Sequence, residues 1–159
     1  MINFIYGGNG MNYEINKETL AVIALEEEKC MVYEENREFL LNCSSMKVID
    51  DSCKFFGSSY QGRFEGTKNM LNISHKAPII IEESRGIIFF PTSSPRMEDC
   101  SWVSLNNIEN YYKTKEGTNI KFSCGKVLKF ELAFGIMDNQ ILRATRLLVI
   151  SDKRKKIFE

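Results

Sequence analysis

Hydrophobic positions in the first fifty residues come in short runs, Leu20 to Leu25, Cys30 to Tyr33 and Glu38 to Leu41, separated by charged or Asn/Ser-rich stretches. Runs of this length, rich in β-branched and aromatic residues, predict a meander of antiparallel strands. The pattern changes from Asp50 to Asn72, where Phe55, Phe56, Tyr60 and Phe64 recur at three-to-four spacing, interrupted by Gly57, Gly62 and Gly66. One or two short helices are expected there, with Ser58 or Ser59 as an N-cap. Two apolar runs, Ile79 to Ile81 and Ile87 to Phe90, are joined by Glu-Glu-Ser-Arg-Gly and read as a hairpin. Beyond a Ser/Pro loop, Thr92 to Pro95, further strands are expected at Trp102 to Leu105, Ile108 to Tyr112, Asn119 to Ser123 and Val127 to Leu132, with turns at Glu116-Gly117 and Cys124-Gly125. A last helix is expected from Asp138, as its cap, to about Ile150, with Ile141, Leu142, Thr145, Leu148 and Val149 on the apolar face.

These elements make an α+β fold, strand-rich and antiparallel, with short central helices and one helix near the C-terminus. A single domain over 11–150 is expected, preceded by a glycine-ended flexible tail at 1–10 and followed by a basic tail at 151–159. Met11 is an alternative start. At 159 residues the chain is long enough to bury a core without disulfides or a metal. Five widely spaced cysteines include no C-x-x-C pair and are expected to stay reduced. No apolar run reaches the ~20 residues of a membrane span, and the start lacks signal-peptide character, so a cytoplasmic protein is expected.

Charge sharpens this picture. The formal net charge is zero, yet residues 1–50 carry nine acids against four bases, a net of 4 − 9 = −5, which leaves +5 for the remainder. Such asymmetry suits a protein that turns one face to a polyanion and keeps another acidic.

Candidate chemistry is sparse. Ser58, Ser59, His75 and Asp50 could be imagined as a hydrolytic set, but Gly57-Ser58-Ser59-Tyr60 is not a nucleophile elbow and a lone histidine is more often a packing or surface residue. The glycines before Met11 lack the Lys-Ser/Thr of a phosphate loop, and no residue set has metal-ligand spacing. No cofactor and no catalytic residue are expected. Cations interleaved with aromatics and small polar donors are better supplied: Ser58, Ser59, Tyr60, Arg63, Thr67, Lys68, His75 and Lys76, with Arg143, Arg146 and the terminal Lys153-Arg154-Lys155-Lys156 as a second group. Groups of this kind position a protein on phosphates. An ordinary solvated corner and a helix C-terminus stabilised by cations are the plainer alternatives.

The run from Cys53 to Thr67, CKFFGSSYQGRFEGT, followed by ISHKAPI at Ile73 to Ile79 and FPT at Phe90 to Thr92, closely resembles the central region of the competence transcription factor (ComK) family. A weaker match continues through Gly125-Lys126 to Asn139–Ala144, so the resemblance covers most of Tyr13 to about Leu148. It implies a transcription activator of DNA-uptake genes that binds paired AT-rich boxes in double-stranded DNA, largely through the minor groove, as a dimer or higher multimer. It also implies a Clp-type protease adaptor and RNA polymerase as partners. Against better-known relatives the chain ends soon after its last helix, and MINFIYGGNG has no counterpart. A non-catalytic paralogue that modulates a full-length relative is the alternative. Arg63, between Gly62 and Gly66, is the expected reader of a narrow AT-rich groove, with the lysines holding phosphates.

Overall fold

The computed structural model describes residues 3–4 and 13–158. Its elements, in chain order, are β1 (Asn3–Phe4), β2 (Thr19–Ala24), β3 (Cys30–Glu34), β4 (Glu38–Leu41), α1 (Ser45–Phe55), α2 (Tyr60–Leu71), β5 (Ile79–Glu82), β6 (Ile87–Pro91), β7 (Trp102–Ser104), β8 (Ile108–Lys113), β9 (Thr118–Phe122), β10 (Val127–Phe130) and α3 (Phe134–Lys156). The fold is α+β, as expected. One sheet of seven strands runs β1-β4-β3-β2-β7-β6-β5, and a second of three runs β10-β9-β8. All pairs are antiparallel except the two-residue pairing of β1 with β4. Most of the stretch read as a flexible tail, residues 1–10, lies outside the described residues.

The central hairpin is apolar from Ile79 to Ile81 and from Ile87 to Phe90 because both of its faces are covered there. Ile79, Ile81, Ile87 and Phe89 point into a core shared with Val48, Ile49 and Cys53 of α1 and with Trp102. Ile80, Ile88 and Phe90 point the opposite way, into a core shared with Ile120 and Phe122 of β9 and Met137, Ile141, Ala144 and Leu147 of α3. Strand alternation thus feeds two cores, and the seven-stranded sheet is the middle layer between α1 on one side and α3 with the small sheet on the other. α2 lies beside β5, where the Thr67 hydroxyl donates to the Pro78 carbonyl at 2.7 Å.

Two expectations need correction. The first central helix begins at Ser45 and not near Asp50, because Ser44 caps it by accepting from the Lys47 N–H at 3.2 Å, and Lys47–Asp51 and Lys54–Asp50 pairs line its polar side. The last helix begins at Phe134 and runs to Lys156, past the expected Ile150. Asp138 does not cap it; its carboxylate accepts from the Tyr111 hydroxyl at 2.6 Å, pinning β8 to α3. The longer helix also presents a different face: Met137, Gln140, Ile141, Ala144, Leu147 and Ser151 are buried, whereas Leu142 and Val149 are exposed.

Candidate nucleic-acid interface

α2 is set by local chemistry. The Ser59 hydroxyl accepts from the Gly62 N–H at 3.0 Å as N-cap, and the Asp50 carboxylate of α1 accepts from the Tyr60 N–H at 2.9 Å. A side chain on Gly62 would meet the Ser58 hydroxyl at 3.0 Å and that of Ser59 at 3.3 Å, so a larger residue there would press on the capping serines. The helix ends at Asn72, whose left-handed φ of 56° turns the chain back toward the sheet.

One edge of α2 then walls a cleft of about 680 Å³. Tyr60, Gln61, Phe64 and Lys68 come from α2, His75 and Lys76 from the segment after it, and Ser94, Pro95 and Arg96 from the loop between β6 and β7. The floor is aromatic: the Tyr60 ring stacks on Phe64 at 6.1 Å and meets Trp102 edge-on at 6.0 Å. Burial pushes the Tyr60 hydroxyl above its ordinary range, which keeps it a neutral donor. The lining holds Lys68, Lys76 and Arg96 and no carboxylate, and none of the three cations has an acidic partner within 4.0 Å among the described residues.

α3 fixes the far wall. Gln140, buried, donates to the carbonyls of Lys76 at 2.9 Å and Pro91 at 2.8 Å, and Arg143 donates to the His75 carbonyl at 2.9 Å. Lys76 is held at a left-handed φ of 51°, unusual for a residue with a side chain. The segment after α2 and the end of β6 are thereby tied to one helix. Arg146 is exposed one turn further along.

The structure therefore brings Tyr60, Lys68, His75 and Lys76 together and adds Arg96, which the sequence alone did not single out; Arg143 lies outside the lining and braces the His75 carbonyl. Arg96 stands in a Ser/Pro loop with no periodicity to mark it; its proximity to Lys68 exists only through the fold. Other expected site residues do different work. Thr67 is buried against Pro78, and Ser59 is spent on capping. Arg63 departs most from expectation: it points away from the cleft, its side chain 15% exposed and ion-paired to Glu83 at 2.7 Å. The spacing explains this, since Tyr60, Phe64 and Lys68 share a helical face that position 63 does not. At the other end of α3, Arg154 donates to Asn69 at 2.8 Å and Lys155 to the Glu83 carbonyl, so part of the terminal basic run also serves packing. Nor do Ser58, Ser59, His75 and Asp50 form a triad: Asp50 is engaged by Tyr60 N–H and Lys54, and Ser59 by Gly62. No helix is long and apolar enough to cross a membrane among the described residues.

The cleft is thus floored by aromatic rings, carries Lys68, Lys76 and Arg96 in its lining, and is held by side-chain bonds to the Lys76, Pro91 and His75 carbonyls. The chain belongs to the ComK family, whose model (ComK protein) matches residues 11–156. It is 35% identical over 136 residues to the competence transcription factor of Bacillus subtilis (strain 168), covering 83% of this chain and 71% of that protein. No solved structure matches the chain.

Proposed function

We propose that the protein is a transcription activator that binds AT-rich double-stranded DNA at promoters of DNA-uptake genes, without catalysis and in the cytoplasm. The observation that carries this is the cleft lined by Lys68, Lys76 and Arg96 with no carboxylate in its wall, in a chain whose formal charge is zero. A neutral protein that concentrates unpaired cations at one place gains phosphate contacts there, while its acids keep the remaining surface from binding nucleic acid indiscriminately. Lys68, Lys76, Arg143 and Arg146 contact phosphates, and Arg96, carried on a loop, enters the narrowed groove. His75 and the Tyr60 hydroxyl supply further donors. Ser58, Ser59 and Thr67 shape the helix that presents them, and Arg63 holds that helix to the β5–β6 turn. The protein acts as a pair, since the minor groove offers one short module little sequence information.

The test is a salt-titrated gel shift on AT-rich and GC-rich duplexes, with the double variant Lys68→Ala/Arg96→Ala beside the parent. Tight AT-selective binding that the double variant loses at least tenfold, with its melting temperature unchanged, supports the proposal. Equal weak binding to both duplexes, or none, overturns it and favours a modulator that acts through a relative.

A further inference from the structure

The small sheet ends on β10, and that edge is open. Phe122 N–H donates to the Lys126 carbonyl at 2.9 Å where the β9–β10 hairpin closes, and β10 pairs Leu128 with Ile120 and Phe130 with Thr118. In an antiparallel ladder the backbone groups alternate sides, so Leu128 and Phe130 turn theirs to β9 while Val127, Lys129 and Glu131 turn theirs outward. Beyond its last ladder residue the chain bends at Leu132, whose carbonyl accepts from the Thr118 hydroxyl at 2.8 Å. Beside this edge lies a groove of about 540 Å³. Its apolar wall is Leu128, Phe130 and Leu132, and Ile23 and Tyr33 of the seven-stranded sheet lie across from them.

Two other edges, β5 and β8, are protected. β5 is covered by α2, and β8 carries a register shift at Ile108/Asn110 with the Asn110 side chain accepting from the Tyr111 N–H. Bulges and local capping of this sort discourage strand addition. On β10 the sequence does the reverse. A lysine on an edge normally repels a second strand. Here Glu131 stands two positions after Lys129, and both expose their side chains and their outward backbone groups.

We propose that β10 is the site at which two copies of this chain pair, antiparallel and centred on Phe130, joining the two small sheets into one of six strands. That register is self-complementary. Lys129 of each copy lies opposite Glu131 of the other in a hydrogen-bonded pair, and Phe130 opposite itself. Moving the centre to Lys129 would oppose lysine to lysine, and like charges directly opposite are destabilising. The charge pattern thus commits the edge to a second copy and to one register, and the apolar wall gains cover that the single chain does not supply. This deepens the proposed pairing on DNA and rests on it for its purpose; the surface itself is argued from the strand. The basic cleft is lined by α2, the segment after it and the β6–β7 loop, with no residue of β10.

The experiment is a charge exchange followed by sedimentation equilibrium without DNA. Lys129→Glu and Glu131→Lys should each weaken the dimer at least tenfold, and the double exchange Lys129→Glu/Glu131→Lys should restore it. All three should keep the parent's circular dichroism and melting temperature at matched low concentration, where every form is monomeric. A second variant, Phe130→Cys in a Cys124→Ser background, should give a single disulfide-linked dimer on mild peroxide oxidation, two thiols losing two protons and two electrons to the peroxide. A strictly monomeric parent, a dimer indifferent to the single exchanges, or failure of the double exchange to rescue overturns the proposal. Because DNA is absent, failure here leaves the gel-shift result untouched, and failure of DNA binding leaves the dimer measurable.

Discussion

Asp50 shows how a single residue couples the two helices that carry the cleft. Burial alone would raise its carboxyl, but hydrogen bonds from Lys54 and the Tyr60 N–H, with the Lys54 charge, outweigh it and leave the group below its ordinary value. A depressed carboxyl stabilises the fold fully above its unfolded value of about 4 and loses that contribution as pH falls through the folded value. Asp50→Asn, which can keep the Tyr60 contact, should therefore flatten the decline of urea stability between about pH 5 and pH 2 relative to the parent. An identical acid profile would place the pH dependence elsewhere. Arg63 is the second residue-scale case. Its ion pair is partly solvated, so most of its worth is the packing of its stem; Arg63→Ala should cost roughly 1 kcal/mol in thermal unfolding. The folded variant should retain the parent's ratio of AT-rich to GC-rich affinity, and a collapse of that ratio would return Arg63 to the groove. The chain itself marks Arg63 by flanking glycines, but its burial depends on Glu83, twenty positions away in a turn that only the fold brings near.

At the scale of elements, legibility followed the physics of burial. The β5–β6 hairpin was readable because both faces are covered, which leaves two unbroken apolar runs around a Gly-containing loop. The start of α1 was not, because the aromatic spacing that marks a helix begins only with Phe55 and leaves Ser45 to Ile49 unmarked; the discriminating signal was Ser44 as a cap with acid–base pairs at four-residue spacing behind it. The apolar face of α3 was misread because Asp138 looked like a cap, and counting from there promotes Leu142 and Val149 in place of Met137, Ala144 and Leu147. Gln140 was invisible for a related reason: a polar residue on a helix is assigned to solvent until its partners are known. It joins the segment after α2 to the end of β6, so Gln140→Ala leaves the Lys76 and Pro91 carbonyls without a donor. The expected loss is about 2 to 4 kcal/mol of stability, one unpaired buried group costing roughly 1 to 3. DNA binding should fall with it even at temperatures where the variant is folded, since Lys76 would leave its left-handed conformation. Retained affinity in a folded Gln140→Ala variant would show that the clamp does not position the cleft.

For the whole molecule, a net charge of zero divides into an acidic first third and a basic remainder, and the fold collects part of that excess at one cleft. Binding should then depend on salt through a small, countable number of contacts. On double-stranded DNA the slope of log affinity against log salt is about −0.9 for each phosphate neutralised. In a single bound chain, Lys68→Ala should make that slope shallower by about 0.9. If two chains bind as one unit through β10, the same substitution removes two contacts per complex, and the change should be about 1.8. Placing Lys68→Ala in the pairing-deficient Lys129→Glu background should bring the change back to about 0.9, because each chain then binds alone. Gel shifts on a two-box AT-rich duplex across roughly 50 to 200 mM salt would resolve these slopes. A change near 0.9 in both backgrounds would mean that the chains occupy DNA independently, and no change in either would remove Lys68 from the phosphate contacts.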